Sequence, residues 1–287
     1  MNYRIILLAL ILTPSVLMAE IYVANNVEEI NNNILSSIET RNAAKALVIL
    51  PVKDFLIKAT DNEFYVNDEK SSFVISKAIK KIKSRSTPYI DELILSEYPS
   101  KLADQYIPKF IQNLQKKNVP LIAVSRNTSG SFNKIQFLEA WTWKYLFDQG
   151  IDLSISPIGS HQIIFNKQFK EVKGTYPTYF NGLLSSNSKE GENSPQSVIV
   201  SLLLVNLKWM PDVVYIVDID ENYIKSMIKQ FKSVRPNIQV MGFVYKPEKQ
   251  EKSLIDEKDL TKFWDNLVAK LNSISRKEIK DKSNPYE

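Results

Sequence analysis

The chain has 287 residues, 44% of them hydrophobic, with 37 lysines and arginines against 32 aspartates and glutamates, a formal charge of +5. That length can bury a full core as one domain with an inserted subdomain, and the interleaved charges, with no basic stripe broken by aromatics, argue against a nucleic-acid partner. The absence of cysteine excludes disulfides, thiolate catalysis and thiolate metal sites.

At the N-terminus, Arg4 precedes an apolar run from Ile5 to Leu12, then Pro14, then Leu17-Met18-Ala19 ahead of Glu20. A basic start, a short apolar core and a small residue read as a secretory signal over residues 1–19, cut after Ala19. The run is shorter than the roughly 20 apolar residues that span a bilayer, and no cysteine follows to carry a lipid. The mature chain is therefore expected without a stable membrane anchor, in the periplasm or beyond the cell.

Val27, Ile30, Ile34, Leu35 and Ile38 recur at helical spacing and predict a helix over 27–38. Ala46 to Leu50 is an apolar run that predicts a buried parallel strand, and the loop leaving it is Pro51-Val52-Lys53-Asp54-Phe55-Leu56. Residues 57–99 are the least regular stretch and read as a small helical insertion with two helices and the turn Ser86-Thr87-Pro88. Within it Lys77, Lys80, Lys81, Lys83 and Arg85 read as the wet face of a helix whose apolar side is Phe73, Ile75, Ile79 and Ile82. Ser100 predicts the cap of a helix through Lys117, ended by Asn118. Val119 to Val124 follows as a second strand, with Ser125 and Arg126 at its carboxyl end.

Phe132 to Gln149 predicts a helix stopped by Gly150, with Trp141, Trp143 and Phe147 packing the core. Ile151–Ile155, Gln162–Phe165 and Tyr176–Leu184 read as short strands or a hairpin. Ser194-Pro195 opens a helix to about Lys208, because the hydroxyl accepts an orphan amide proton and proline needs no amide partner in the first turn. Asp212 to Val217 is a third buried strand, ending in Asp218-Ile219-Asp220-Glu221-Asn222. A helix to about Val234, a strand from Ile238 to Val244 and a helix from Asp256 to Ile274 complete the domain over 20–274, and residues 275–287 form a charged tail. Strands alternating with helices predict a three-layer, Rossmann-like parallel sheet.

The order of these pieces resembles the haloacid dehalogenase superfamily. They are a hydrophobic strand and its loop, a strand after Val119-Pro120 ending in Ser125-Arg126, the segment Phe180-Asn181-Gly182-Leu183-Leu184, a helix, and a strand ending in aspartate. More narrowly, the chain is similar to a group of secreted bacterial haloacid-dehalogenase-like proteins of unknown function, from about Glu20 to Lys246. The resemblance implies a phosphotransferase scaffold. In active relatives a strand-end aspartate attacks phosphorus, an aspartate two residues later protonates the leaving group, and magnesium held by carboxylates neutralises the phosphate.

Carried onto this chain, the nucleophile position matches Pro51 and the acid/base position Lys53, with Asp54 one residue further on. Ser125 matches the phosphate-holding hydroxyl, and Arg126 adds an anion contact. Lys189 is the nearest counterpart of the cradle lysine, and Asp218 and Asp220 of the metal-binding aspartates. Loss of a nucleophile typically lowers rates by about 10⁴-fold or more. The reading implied is a non-catalytic descendant that binds an anionic small molecule or a protein partner through Lys53, Ser125 and Arg126, with no cofactor. Two alternatives stay open: a divergent magnesium-dependent phosphatase using Asp54, Asp218 or Asp220, and a purely structural or host-facing interaction protein. Asp218 and Asp220 also mimic a paired-aspartate nucleophile loop, but too little chain follows to fill the other roles. His161, the single histidine, reads as a loop residue.

Overall fold

Apolar runs as continuous as Ala46–Leu50 and Val213–Val217 suit strands enclosed on both faces, and such strands form the centre of the molecule. The computed structural model describes residues 20–64, 69–83, 86, 89–155, 158, 161–172, 174–188, 193–247 and 255–274. The expected signal segment and charged tail lie outside the described residues, as does Lys189. The strands are β1 (Glu20–Ala24), β2 (Ala46–Pro51), β3 (Ile57–Ala59), β4 (Ser100–Leu102), β5 (Leu121–Ser125), β6 (Gln162–Ile164), β7 (Thr178–Phe180), β8 (Leu183–Ser185), β9 (Val213–Asp218) and β10 (Gln239–Tyr245). The helices are α1 (Val27–Glu39), α2 (Glu69–Ile79), α3 (Ile90–Glu97), α4 (Ile107–Lys116), α5 (Leu138–Asp148), α6 (Pro195–Ser201), α7 (Glu221–Val234) and α8 (Glu257–Ser273).

Eight strands form one sheet in the order β1-β10-β9-β2-β5-β8-β7-β6. Neighbours from β1 through β8 run parallel, and β7 and β6 return antiparallel. The chain lays down β2 in the middle, moves outward through β5 and β8, then crosses back over β2 to place β9 and β10. That reversal makes a switch point between β2 and β9, and open α/β sheets take their ligands at the strand carboxyl ends there.

Side chains of β2 alternate between two cores. Val48 and Leu50 meet Ile34 of α1, Phe110 of α4 and Leu146 of α5 on one face. Leu47 and Ile49 share the other with Val198 of α6 and Ile224 and Phe231 of α7. Each such side chain contributes about 1.5–3 kcal/mol on burial. Gly242 in β10 permits this layering, since a Cβ there would sit 2.4 Å from Ile224 Cγ2.

A third core lies apart from the sheet. Val74 and Ala78 of α2 and Leu93 of α3 enclose Leu260, Trp264, Leu267 and Leu271 of α8, together with the fully buried Phe132 and Leu138. The C-terminal helix thus packs on the insertion and not on the sheet. Hydrogen bonds fasten the two segments: Trp264 Nε1 donates to the Glu63 carbonyl at 3.2 Å, and Asn272 Oδ1 accepts from the Lys83 amide at 2.8 Å.

Several expected boundaries move. Glu20–Ala24, read only as the start of the mature chain, adds β1 at the sheet edge beside β10. Ser100 does not cap a helix: it pairs with Ala59, and the Tyr145 hydroxyl binds both its amide and its carbonyl. Helix α4 starts only at Ile107, because Asp104 accepts the amides of Tyr106 and Val27 and holds the chain in a turn. Phe132 and Ile135 exchange two backbone hydrogen bonds, which postpones α5 to Leu138. Residues 151–155 are irregular. The lysine-rich helix is also rotated from the expected sense. Val74, Ala78 and Ile82 point inward, while Phe73 is 67% and Ile79 38% exposed.

Candidate functional site

Beyond Leu50 the chain turns sharply instead of continuing β2. The Leu56 amide donates to the carbonyls of Pro51 and Val52, and the Ile57 amide to Val52 at 3.0 Å. Asp54 adopts φ 65°, a left-handed value that Asp tolerates better than most residues, and its amide donates to the Ile57 carbonyl at 2.8 Å. Pro51 therefore ends the strand, and Lys53 and Asp54 ride on the turn at its tip.

Lys53 does not stand alone there. Its Nζ lies 2.8 Å from Asp91 Oδ1 in the first turn of α3, so the sheet's site loop is tied to the insertion. Arg126, just past β5, sets its guanidinium 4.9 Å from the centroid of the Tyr223 ring in α7. Asp218 closes β9 almost fully buried, with Oδ1 accepting the Asp220 amide at 2.9 Å. Asp220 caps α7 by accepting the Asn222 amide at 2.9 Å. The loops after β2, β5 and β9 thus converge.

These charges lie close enough to act on one another. Desolvation pulls the Lys53 ammonium down, but Asp91, by charge and hydrogen bond, and Asp54 together leave it raised against the repulsion of Arg126. Burial pushes the Asp54 carboxyl up, opposed by Lys53 and abetted by Asp91. Burial also raises Asp218, against stabilisation by the Asp220 amide and by Arg126. Tyr223 is pushed up by burial, with Asp218 adding to it and Arg126 opposing.

Ser125 is buried, and its hydroxyl accepts the Asn127 amide at 3.1 Å. The loop that follows is clamped by residues that the sequence did not flag. The amide of Thr128 donates to Glu92 Oε1 at 2.9 Å, that of Ser129 to Asn187 Oδ1 at 2.8 Å, and that of Gly130 to Glu139 Oε2 at 2.7 Å. Glu92 and Glu139 are fully buried, and Asn187 is too. Asp91, Glu92, Glu139, Asn187 and Tyr223 were all missed. One signal was available: Glu139 lies on the same helical stripe as Leu138, Thr142 and Leu146, where an acid is out of place unless it is hydrogen-bonded.

The predicted residues Lys53, Asp54, Ser125, Arg126 and Asp218 gather at one end of the sheet, with Asp220 at the rim. His161 is exposed elsewhere. Among the described residues no three acidic or histidine side chains group to hold a metal. Asp218 and Asp220 each accept a backbone amide through Oδ1 and keep the second carboxylate oxygen for other contacts. Among the described residues no helix is long and apolar enough to cross a membrane.

The strand order defines a Rossmann-like α/β protein whose charged side chains gather at the strand carboxyl ends, beside a helical lobe. The chain belongs to the family described as "Protein of unknown function (DUF2608)", whose model matches residues 24–277. It is 28% identical to an uncharacterized protein of Rickettsia felis, over 99% of this chain and 98% of that one. It is also 27% identical to an uncharacterized protein of Rickettsia bellii, with the same shares covered, and 26% identical to one of Rickettsia prowazekii, over 98% and 95%. No solved structure matches. None of these names refers to haloacid dehalogenases.

Proposed function

We propose that this chain is a haloacid-dehalogenase-like binding protein that no longer transfers phosphoryl groups, and that its switch-point cleft takes an anionic group from a small molecule or a protein. One observation carries the reading: where phosphotransferases need two carboxylates, this chain has Pro51 and a lysine ion-paired to Asp91 at 2.8 Å. A proline ring offers no nucleophile, and an ammonium cannot take up the proton that a base must accept. Kinship with the superfamily is supported by the order in which β2, β5, β8, α6 and β9 follow one another, and by an insertion that opens directly after the loop of β2.

Binding would proceed by exchange. An incoming phosphate or carboxylate replaces Asp91 on Lys53, and Arg126 supplies a second, planar donor set. The charge around Lys53 is then conserved, which keeps the desolvation cost low. Export through the 1–19 segment belongs to the same reading, with Ala19 as the last residue removed.

The test combines turnover and binding. Incubated with a phosphomonoester, with and without magnesium, the protein should release no phosphate. Inorganic phosphate or phenyl phosphate should raise its melting temperature, by the equivalent of about 2.7 kcal/mol at a hundredfold excess over Kd. Lys53→Met should abolish that shift and Asp91→Asn should enlarge it. Magnesium-dependent turnover lost in Asp54→Ala or Asp218→Ala would establish the phosphatase instead. A melting temperature indifferent to every phosphate compound would leave only the interaction protein.

A further inference from the structure

Helix α2 already satisfies its own core, burying Val74 and Ala78 against α8, and still presents large apolar side chains to water. Phe73 is 67% exposed and Ile79 38%. Phe73 stands in the row Lys70, Phe73, Lys77, Lys80, whose 3-4-3 spacing puts all four on one side of the helix. Beside that row lies an open groove lined by Ser72, Ile75, Ser76, Ile79 and Lys80.

The charge along this helix is mostly positive. From 69 to 83 the only acid is Glu69, against Lys70, Lys77, Lys80, Lys81 and Lys83. Lys81 pairs with Asp265 at 2.6 Å, whereas Lys70, Lys77 and Lys80 have no carboxylate partner among the described residues. We propose that the outward face of α2 docks on an anionic lipid surface, with Phe73 entering the interface and the three lysines meeting the headgroups. An exposed aromatic ringed by lysines, on a helix too short and too charged to cross, is the composition of a helix lying in the membrane plane. A second copy of the chain fits the patch poorly, because it would bring the same lysine row against itself. This inference is independent of the switch-point cleft.

The full chain is floated with phosphatidylcholine vesicles with and without phosphatidylglycerol, so that any contribution of the N-terminal apolar segment appears in both. Binding should rise with phosphatidylglycerol and fall with added salt. Each lysine is worth about fivefold in partitioning, so Lys77→Glu/Lys80→Glu should cut the phosphatidylglycerol-dependent part by about 30-fold or more, and Phe73→Ser should weaken it by about tenfold. Val23→Ser, at an exposed position of β1, should change nothing. All four side chains face water, so the variants should melt as the parent does. Equal binding to both vesicle types, or phosphatidylglycerol-dependent binding that survives both α2 variants, overturns the proposal. So does a Phe73-dependent self-association without vesicle binding, which would make the patch a contact between copies.

Discussion

At β2 and β9 nearly every side chain is enclosed from two sides, whereas α2, α3 and α8 meet along one seam and leave the rest of their surfaces in water. The sheet joins strands through parallel backbone ladders as well as side chains. The lobe rests on a single apolar cluster joined by segments far apart in the chain, as in Lys81 with Asp265, 184 residues away. The difference teaches where adjustment is possible. Of the contacts that cross from lobe to sheet, Lys53 with Asp91 lies partly in water and can change at little cost, whereas Thr128 with Glu92 is buried and holds the two regions together.

Core truncations should split the two regions most sharply. Trp264→Ala in the lobe and Ile216→Ala in the sheet should each cost about 2–5 kcal/mol. In the sheet variant the loss should appear as one lowered denaturation midpoint. In the lobe variant, hydrogen exchange should speed up along α2, α3 and α8 while β2 and β9 keep their protection. Equal loss of protection everywhere in Trp264→Ala would show that lobe and sheet unfold together. A smaller but still clear effect is expected at Gly182, whose φ of +88° and 2.4 Å approach of a virtual Cβ to the Leu153 carbonyl leave no room for a side chain. Gly182→Ala should cost about 1–3 kcal/mol, read as a lower urea midpoint with an unchanged slope.

The smallest effect has the opposite sign, because Asp218 is a polar exception within the sheet. Burial raises its carboxyl in the folded chain above the unfolded value, so folding takes up a proton there. That contribution to stability is greatest below about pH 4 and is lost as pH rises through the folded value. Asp218→Asn, which keeps an oxygen for the Asp220 amide, should therefore melt higher than the parent at pH 7. Melting curves at pH 7 and below pH 4 should show the gain shrinking in acid.

Legibility followed burial and sequence distance. The Rossmann-like architecture was readable because Ala46–Leu50, Leu121–Val124 and Val213–Val217 are apolar without interruption, and Ser194-Pro195 opens α6 as expected, the hydroxyl accepting from the Ser197 amide. Short or half-exposed pieces were not: β1 and β4 are defined by the strands they meet, and their own residues carry little pattern. Lys53, Ser125, Arg126 and Asp218 stand out in the sequence because they lie at or just past the ends of buried strands. Asp91, Glu92 and Glu139 were overlooked because their partners come from other segments of the chain.

By itself, the order of residues determined which segments become strands and which loops carry charge at their ends, Lys53 after β2 and Asp218 at the end of β9 among them. Local periodicity and hydrogen-bonding capacity suffice for that. Only the tertiary structure decided that Lys53 is held by Asp91, that two buried glutamates brace the loop after β5, that α8 joins the insertion, and that Phe73 faces water. Each of these depends on which distant surface a segment meets, and a chain read one window at a time does not contain that information.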